Sequence, residues 1–126
     1  MKTHAFFGVF AVVIAAGSPL ALSADGCDAA AGERQFRKCA VCHVIEQGAD
    51  ATIGPNLYGL VGRAVASASG FPYSEAMESK TGIWSVDQLD AFIRAPADVV
   101  PGTSMAFGGL KNDSARRNII CYLSGL

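Results

Sequence analysis

Two cysteines three positions apart, Cys39 and Cys42, are followed at once by His43. Thiols and an imidazole in that order can do one of three things. They can run a dithiol–disulfide couple, ligate zinc, or be joined to a porphyrin whose iron the histidine binds. A thioredoxin-like dithiol belongs in a βαβ setting, which this sequence does not offer. Zinc needs further ligands at short spacings, and the other cysteines, Cys27 and Cys121, stand far away near the two ends. Cys-x-x-Cys-His is the attachment pattern of haem c, and its spacing has a geometric reason. One helical turn brings both sulfurs to the two vinyl groups on one side of the macrocycle, and the next residue then lies under the iron. One covalently bound haem c is the cofactor expected.

The second iron ligand follows by elimination. His4 and His43 are the two histidines, and His4 lies in a stretch with the order of a secretory signal. Lys2 gives a basic start, residues 5–16 are apolar, Gly17, Ser18 and Pro19 break the run, and Ala21, Ser23 and Ala24 are small. The apolar run is short for a span of about 20 residues. Cleavage is therefore expected near Ser23 or Ala24, with residues 1–24 a signal peptide and 25–126 one domain that is not itself transmembrane. His43 is then the sole histidine left. Methionine is the other common partner in cytochromes c, and the remaining candidates are Met77 and Met105. Met77 falls in a short amphipathic segment where it packs. Met105 sits in Pro101-Gly102-Thr103-Ser104-Met105-Ala106-Phe107-Gly108-Gly109, where glycine and proline let the backbone approach a flat ligand. His43 and Met105 are the metal ligands expected, which leaves iron without the open position that catalytic metal centres need.

The elements that must position these groups are helical. Without the signal, nine basic side chains face eleven acidic ones. That balance lacks the basic footprint of nucleic-acid binding. So short a domain is marginal on its apolar core alone, and an apolar group filling its centre would offset this. Helices are expected over residues 28–38, with Gly32 and Phe36 one turn apart on one face, and over 73–80. A third starts at Ser85-Val86-Asp87-Gln88, a capping-box pattern in which Gln88 reaches back to Ser85. Its apolar stripe is Val86, Leu89, Phe92 and Ile93, and Pro96 limits its continuation. A fourth opens at Asn112 or Asp113 and carries Ile119, Ile120 and Leu123. Residues 44–72 and 95–111 are long loops rich in glycine and proline, yet they hold Leu57, Tyr58, Leu60, Val61, Val99, Val100 and Phe107. Long apolar loops of this kind wrap around something. The fold class expected is all-α: about four helices with long Gly/Pro-rich loops around haem.

From residue 29 to residue 123 the chain resembles the class I c-type cytochromes, of the mitochondrial type and its bacterial periplasmic relatives. The resemblance rests on Gly32 and Phe36 ahead of the Cys39-Cys42-His43 motif, then Gly54-Pro55-Asn56-Leu57-Tyr58-Gly59, Gly62-Arg63, Gly70-Phe71 and Tyr73-Ser74. Trp84, Pro96, Pro101-Gly102-Thr103 with Met105 and Phe107, and Tyr122-Leu123 complete it. It implies that Pro55 offers its carbonyl to the outer nitrogen of His43. It also implies that Arg63, Tyr73 and Trp84, with Ser74 and Thr103 as further candidates, satisfy the buried haem propionates. Gly32 would let the first helix cross the last against Tyr122, which explains a glycine costing about 1 kcal/mol in a helix interior.

The chain departs from that pattern in several places. Phe92 stands where the family has a tyrosine bonded to the methionine sulfur, and Met77 replaces a polar residue near a propionate. Ala97 and Ser104 replace lysines that ring the haem edge; Lys38 remains, with Lys111 as a further candidate, so electrostatic docking should be weaker. The family fold brings Cys27 and Cys121 together, and a disulfide between them is expected. The function implied is a soluble, monomeric, periplasmic one-electron carrier rather than an enzyme. Its donor would be a quinol–cytochrome c reductase or a dehydrogenase, its acceptor a terminal oxidase or reductase. The rivals are a haem enzyme or gas binder, which needs a labile sixth position, and a fixed subunit of a larger oxidoreductase.

Overall fold

Asp28 starts the first helix by accepting from the Ala31 N–H at 2.9 Å, which satisfies one of the free donors at a helix N-terminus. In the computed structural model, which describes residues 26–126, this helix is α1, Ala29–Phe36. The signal segment and its cleavage point lie outside the described residues. Four further helices follow: α2 Glu75–Glu78, α3 Val86–Arg94, α4 Pro96–Val99 and α5 Asp113–Leu123. Among the described residues there is no strand, only an isolated antiparallel bridge between Ala64 and Ile83, so the chain is all-α. No helix among them is long and apolar enough to cross a membrane.

The central packing event is α1 across α5. A Cβ on Gly32 would lie 1.9 Å from the Asn118 carbonyl oxygen, so only glycine admits the crossing at this distance. Phe36 and Tyr122 meet one turn further on, with ring centroids 5.7 Å apart. The buried Asn118 accepts from the Asp28 N–H at 2.9 Å, and Cys27 is disulfide-bonded to Cys121 with their Cα atoms 6.1 Å apart. The N-terminus of α1 is thus tied to α5 by packing, a hydrogen bond and a covalent bond.

A second tie joins α3 to α5 and was not visible in the sequence. Arg116 is fully buried, yet its charge is matched on every side. Its Nε donates to Asp90 at 2.7 Å, one terminal nitrogen to the Leu110 carbonyl at 2.8 Å, and the other to Asp90 and Asp113. A buried guanidinium is tolerable only when so paired.

The elements differ from the sequence expectation in four places. α2 covers only Glu75–Glu78 of the expected 73–80, because Ser74 caps its start by accepting from the Met77 N–H at 3.2 Å. α1 stops at Phe36 because the Cys39 N–H turns back to the Phe36 carbonyl at 2.7 Å and tightens the chain into the next turn. Pro96 ends α3 but also opens α4: its fixed φ and missing N–H suit the first helical position. The capping box before α3 forms only half. Ser85 caps Gln88 at 3.2 Å, but the Ser85 N–H is taken by the Ile83 carbonyl at 3.0 Å, leaving nothing for Gln88 to reach back to.

Candidate haem-binding site

Residues 39–43 form a single tight turn. The Cys42 and His43 N–H groups both donate to the Cys39 carbonyl, at 3.0 and 2.9 Å. Both thiols are free, and burial pushes the Cys39 thiol up despite the opposing pull of Lys38, so it is protonated at neutral pH. His43 Nδ1 lies 2.8 Å from the Pro55 carbonyl. That contact makes Nδ1 the donor and leaves Nε2 as the nitrogen with a lone pair. Burial also lowers the affinity of His43 for a proton, against the Pro55 bond, which favours the neutral ring a metal needs.

Gly54 completes the seat for the imidazole. A Cβ there would come within 2.5 Å of the His43 ring. The strand of chain from residue 52 to 54 is fixed to the turn, because the Cys42 carbonyl accepts from both the Gly54 N–H and the Thr52 hydroxyl, each at 2.7 Å. Asn56 organises the following loop. Its amide nitrogen donates to the Glu46 and Ala49 carbonyls, and its oxygen accepts from the Tyr58 N–H. The sequence assigns a role to Pro55 but none to Gly54 or Asn56; a glycine directly before the proline that meets His43 is the signal available.

Arg63 is placed by the same loop. Its terminal nitrogens donate to the Tyr58 and Asn56 carbonyls at 2.8 and 2.9 Å, while its buried Nε has no partner. Trp84 is buried against Phe92, with centroids 5.0 Å apart, and its backbone N–H donates to the Arg63 carbonyl at 2.8 Å. The Tyr73 hydroxyl accepts from the Ala68 N–H at 3.2 Å, which leaves its proton to give. The Thr103 hydroxyl accepts from the Met105 N–H at 3.2 Å and so shapes the loop that carries the methionine. Met105 is half-buried against the same hydrophobic core that Cys39 touches. Ser74 is occupied in capping α2, and Met77, in that helix, is a buried core residue. Lys111 is engaged elsewhere: its Nζ donates to the Arg94 carbonyl at the end of α3, where a cation meets the helix dipole.

Neither alternative to haem finds support in this arrangement. Among the described residues no three of His, Cys, Asp and Glu gather to hold a metal ion, and Cys27 and Cys121 are bonded to each other. A porphyrin fits on three observations: two free thiols on one turn, a histidine whose Nδ1 is committed to Pro55 so that Nε2 keeps its lone pair, and a buried guanidinium N–H without an acceptor.

Comparison with known proteins agrees. No protein-family model matches the chain. It is 43% identical over 97 residues to cytochrome c2 of Rhodoblastus acidophilus, covering 77% of this chain and 91% of that one. It is 46% identical over 100 residues to the c-type cytochrome cy of Rhodobacter capsulatus, covering 79% of this chain. The chain spans about half the length of that relative and of another that it matches. Its fold is similar to the solved cytochrome cH from Methylobacterium extorquens, with a TM-score of 0.74 and 35% identity over 79% of this chain and 99% of that one.

Proposed function

The chain belongs to the class I c-type cytochromes, a family with one covalently attached haem, and from that premise we propose that it carries single electrons and catalyses no reaction of its own. Bound haem supplies a one-electron ferrous–ferric couple. The observation that carries the reading is the turn at residues 39–43, with two free thiols and a histidine whose Nδ1 is committed to Pro55.

Cys39 and Cys42 hold the macrocycle through their sulfurs. His43 offers Nε2, and Met105 offers its thioether from the loop that Thr103 shapes. The Pro55 carbonyl makes His43 a stronger donor by drawing on its other proton. Arg63 would give its unpartnered Nε–H to a propionate, and Tyr73, Trp84 and Thr103 would complete that polar edge. If His43 and Met105 both bound the iron, no position would be left for a substrate, which favours a carrier over a haem enzyme. The carrier works after export, in the periplasm, as a monomer between a quinol–cytochrome c reductase or dehydrogenase and a terminal oxidase or reductase.

The test is Met105→Ala in the haem-loaded protein. Loss of the low-spin absorption and a fall in midpoint potential are expected, because thioether ligation raises the potential. An unchanged spectrum and midpoint would remove Met105 from the iron. A denatured mass without a porphyrin would remove the haem.

A further inference from the structure

Val41 and Ile53 are 73% and 75% exposed, the two most exposed large apolar side chains among the described residues. They are joined through one group. Val41 lies between the two attachment cysteines and directly precedes Cys42. Ile53 lies between Thr52 and Gly54, both of which donate to the Cys42 carbonyl at 2.7 Å. The Thr52 N–H closes the tip onto the Gly54 carbonyl at 3.1 Å. Two exposed aliphatic side chains are therefore carried on backbone that is hydrogen-bonded to the attachment turn. The stretches that carry them, residues 39–45 and 51–62, contain no charged side chain; Lys38 and Glu46 border the first, Asp50 and Arg63 the second.

We propose that Val41 and Ile53 are the docking contact for an electron-accepting partner whose own electron-entry face is apolar and uncharged. This rests on the carrier reading above. Charge selects the occupant. Residues 25–126 have more acidic than basic side chains, and Ala97 and Ser104 are exposed and uncharged. An acidic face would meet a net-negative chain with Glu46 and Asp50 bordering the contact, and a basic face would meet Lys38 and Arg63. A neutral apolar face meets no opposing charge, and it gains by removing both side chains from water. Affinity then comes from short-range desolvation and depends little on salt.

The experiment uses the ferrous holoprotein, oxidised by the combined membrane and periplasmic fraction of the source cells, and separately by hexacyanoferrate(III). The small hydrophilic oxidant reports the haem without the docking contact. For V41S/I53S, KM with the cell fraction should rise about ten-fold, the effect of losing one strong interface anchor. The hexacyanoferrate rate and the low-spin spectrum should stay unchanged, and the variant should leave a phenyl-substituted resin earlier than the parent. The parent's KM should vary less than about two-fold between roughly 20 and 200 mM NaCl. I83S/V86S removes two other exposed aliphatics, 53% and 52% exposed, and should leave KM alone. An unchanged KM for V41S/I53S, unchanged resin retention, or a steep loss of turnover with salt overturns the proposal. So does a cell fraction that fails to oxidise a protein that hexacyanoferrate oxidises normally. Failure with hexacyanoferrate as well sinks the carrier reading itself.

Discussion

The side of the molecule built from α1, α3 and α5 and the side built from the loops differ in how they treat their polar groups. On the helical side, Arg116 has a partner for every donor nitrogen, Asn118 is bonded to Asp28, and Cys27 is bonded to Cys121. On the loop side, two thiols are free and the buried Arg63 Nε is unmatched. The one unmatched group on α1, the buried Gln35 side-chain oxygen, lies four residues before Cys39, at the border with the loops. Buried polar groups without partners are rare in folded proteins and call for an explanation. The helices form a scaffold complete in itself, whereas the loops are complementary to something they enclose.

Substitutions on the two sides should therefore be told apart by different instruments. Scaffold changes should lower the denaturation midpoint and leave the haem spectrum alone, the reverse of Met105→Ala. The largest scaffold effect is expected from C27S/C121S. The bridge spans 94 residues of sequence, and its loss should cost about 4 kcal/mol in chemical denaturation of the holoprotein. An equal loss of midpoint potential would show that the two sides are not separable. Arg116→Met should cost about 3 kcal/mol, at the low end for a broken buried pair, since the freed Asp90 and Asp113 keep access to water. Gly32→Ala should cost about 2 kcal/mol by forcing α1 away from α5; a neutral outcome would mean that the crossing is softer than its geometry. The smallest effect concerns acid. Hydrogen bonding to the Arg116 guanidinium holds the Asp113 carboxyl below the usual carboxylate range. Its folded pKa is depressed, so its stabilisation is present above the unfolded value and is lost as pH falls through the folded one. Asp113→Asn should lower the neutral plateau slightly and leave the acid end nearly unchanged, so that the acid limb flattens, as read by urea midpoints across that range.

The same division shows what was legible in the sequence. The attachment turn, the all-α class and the starts of α3 and α5 could be read because each depends on local order, a motif, a cap or a one-turn spacing, whereas the glycine crossing followed from the family resemblance. The loop framework could be read only through family resemblance, since Asn56 reaching back to Glu46 and Ala49 has no periodic signature. Arg116 was missed because a charged residue in a helix ordinarily faces water; only the fold, by setting Asp90 of α3 opposite it, makes burial affordable. Lys111, a candidate for the haem edge from sequence, is instead bound to the end of α3, something its position along the chain could not reveal.

The seating of His43 between Gly54 and the Pro55 carbonyl bears on speed as well as on affinity. An imidazole that is wedged on one side and anchored at its far nitrogen has a single orientation to offer, whichever charge its neighbour bears. Little atomic rearrangement is then required of this residue when an electron arrives or departs, and the ring is already posed for both states before either is reached.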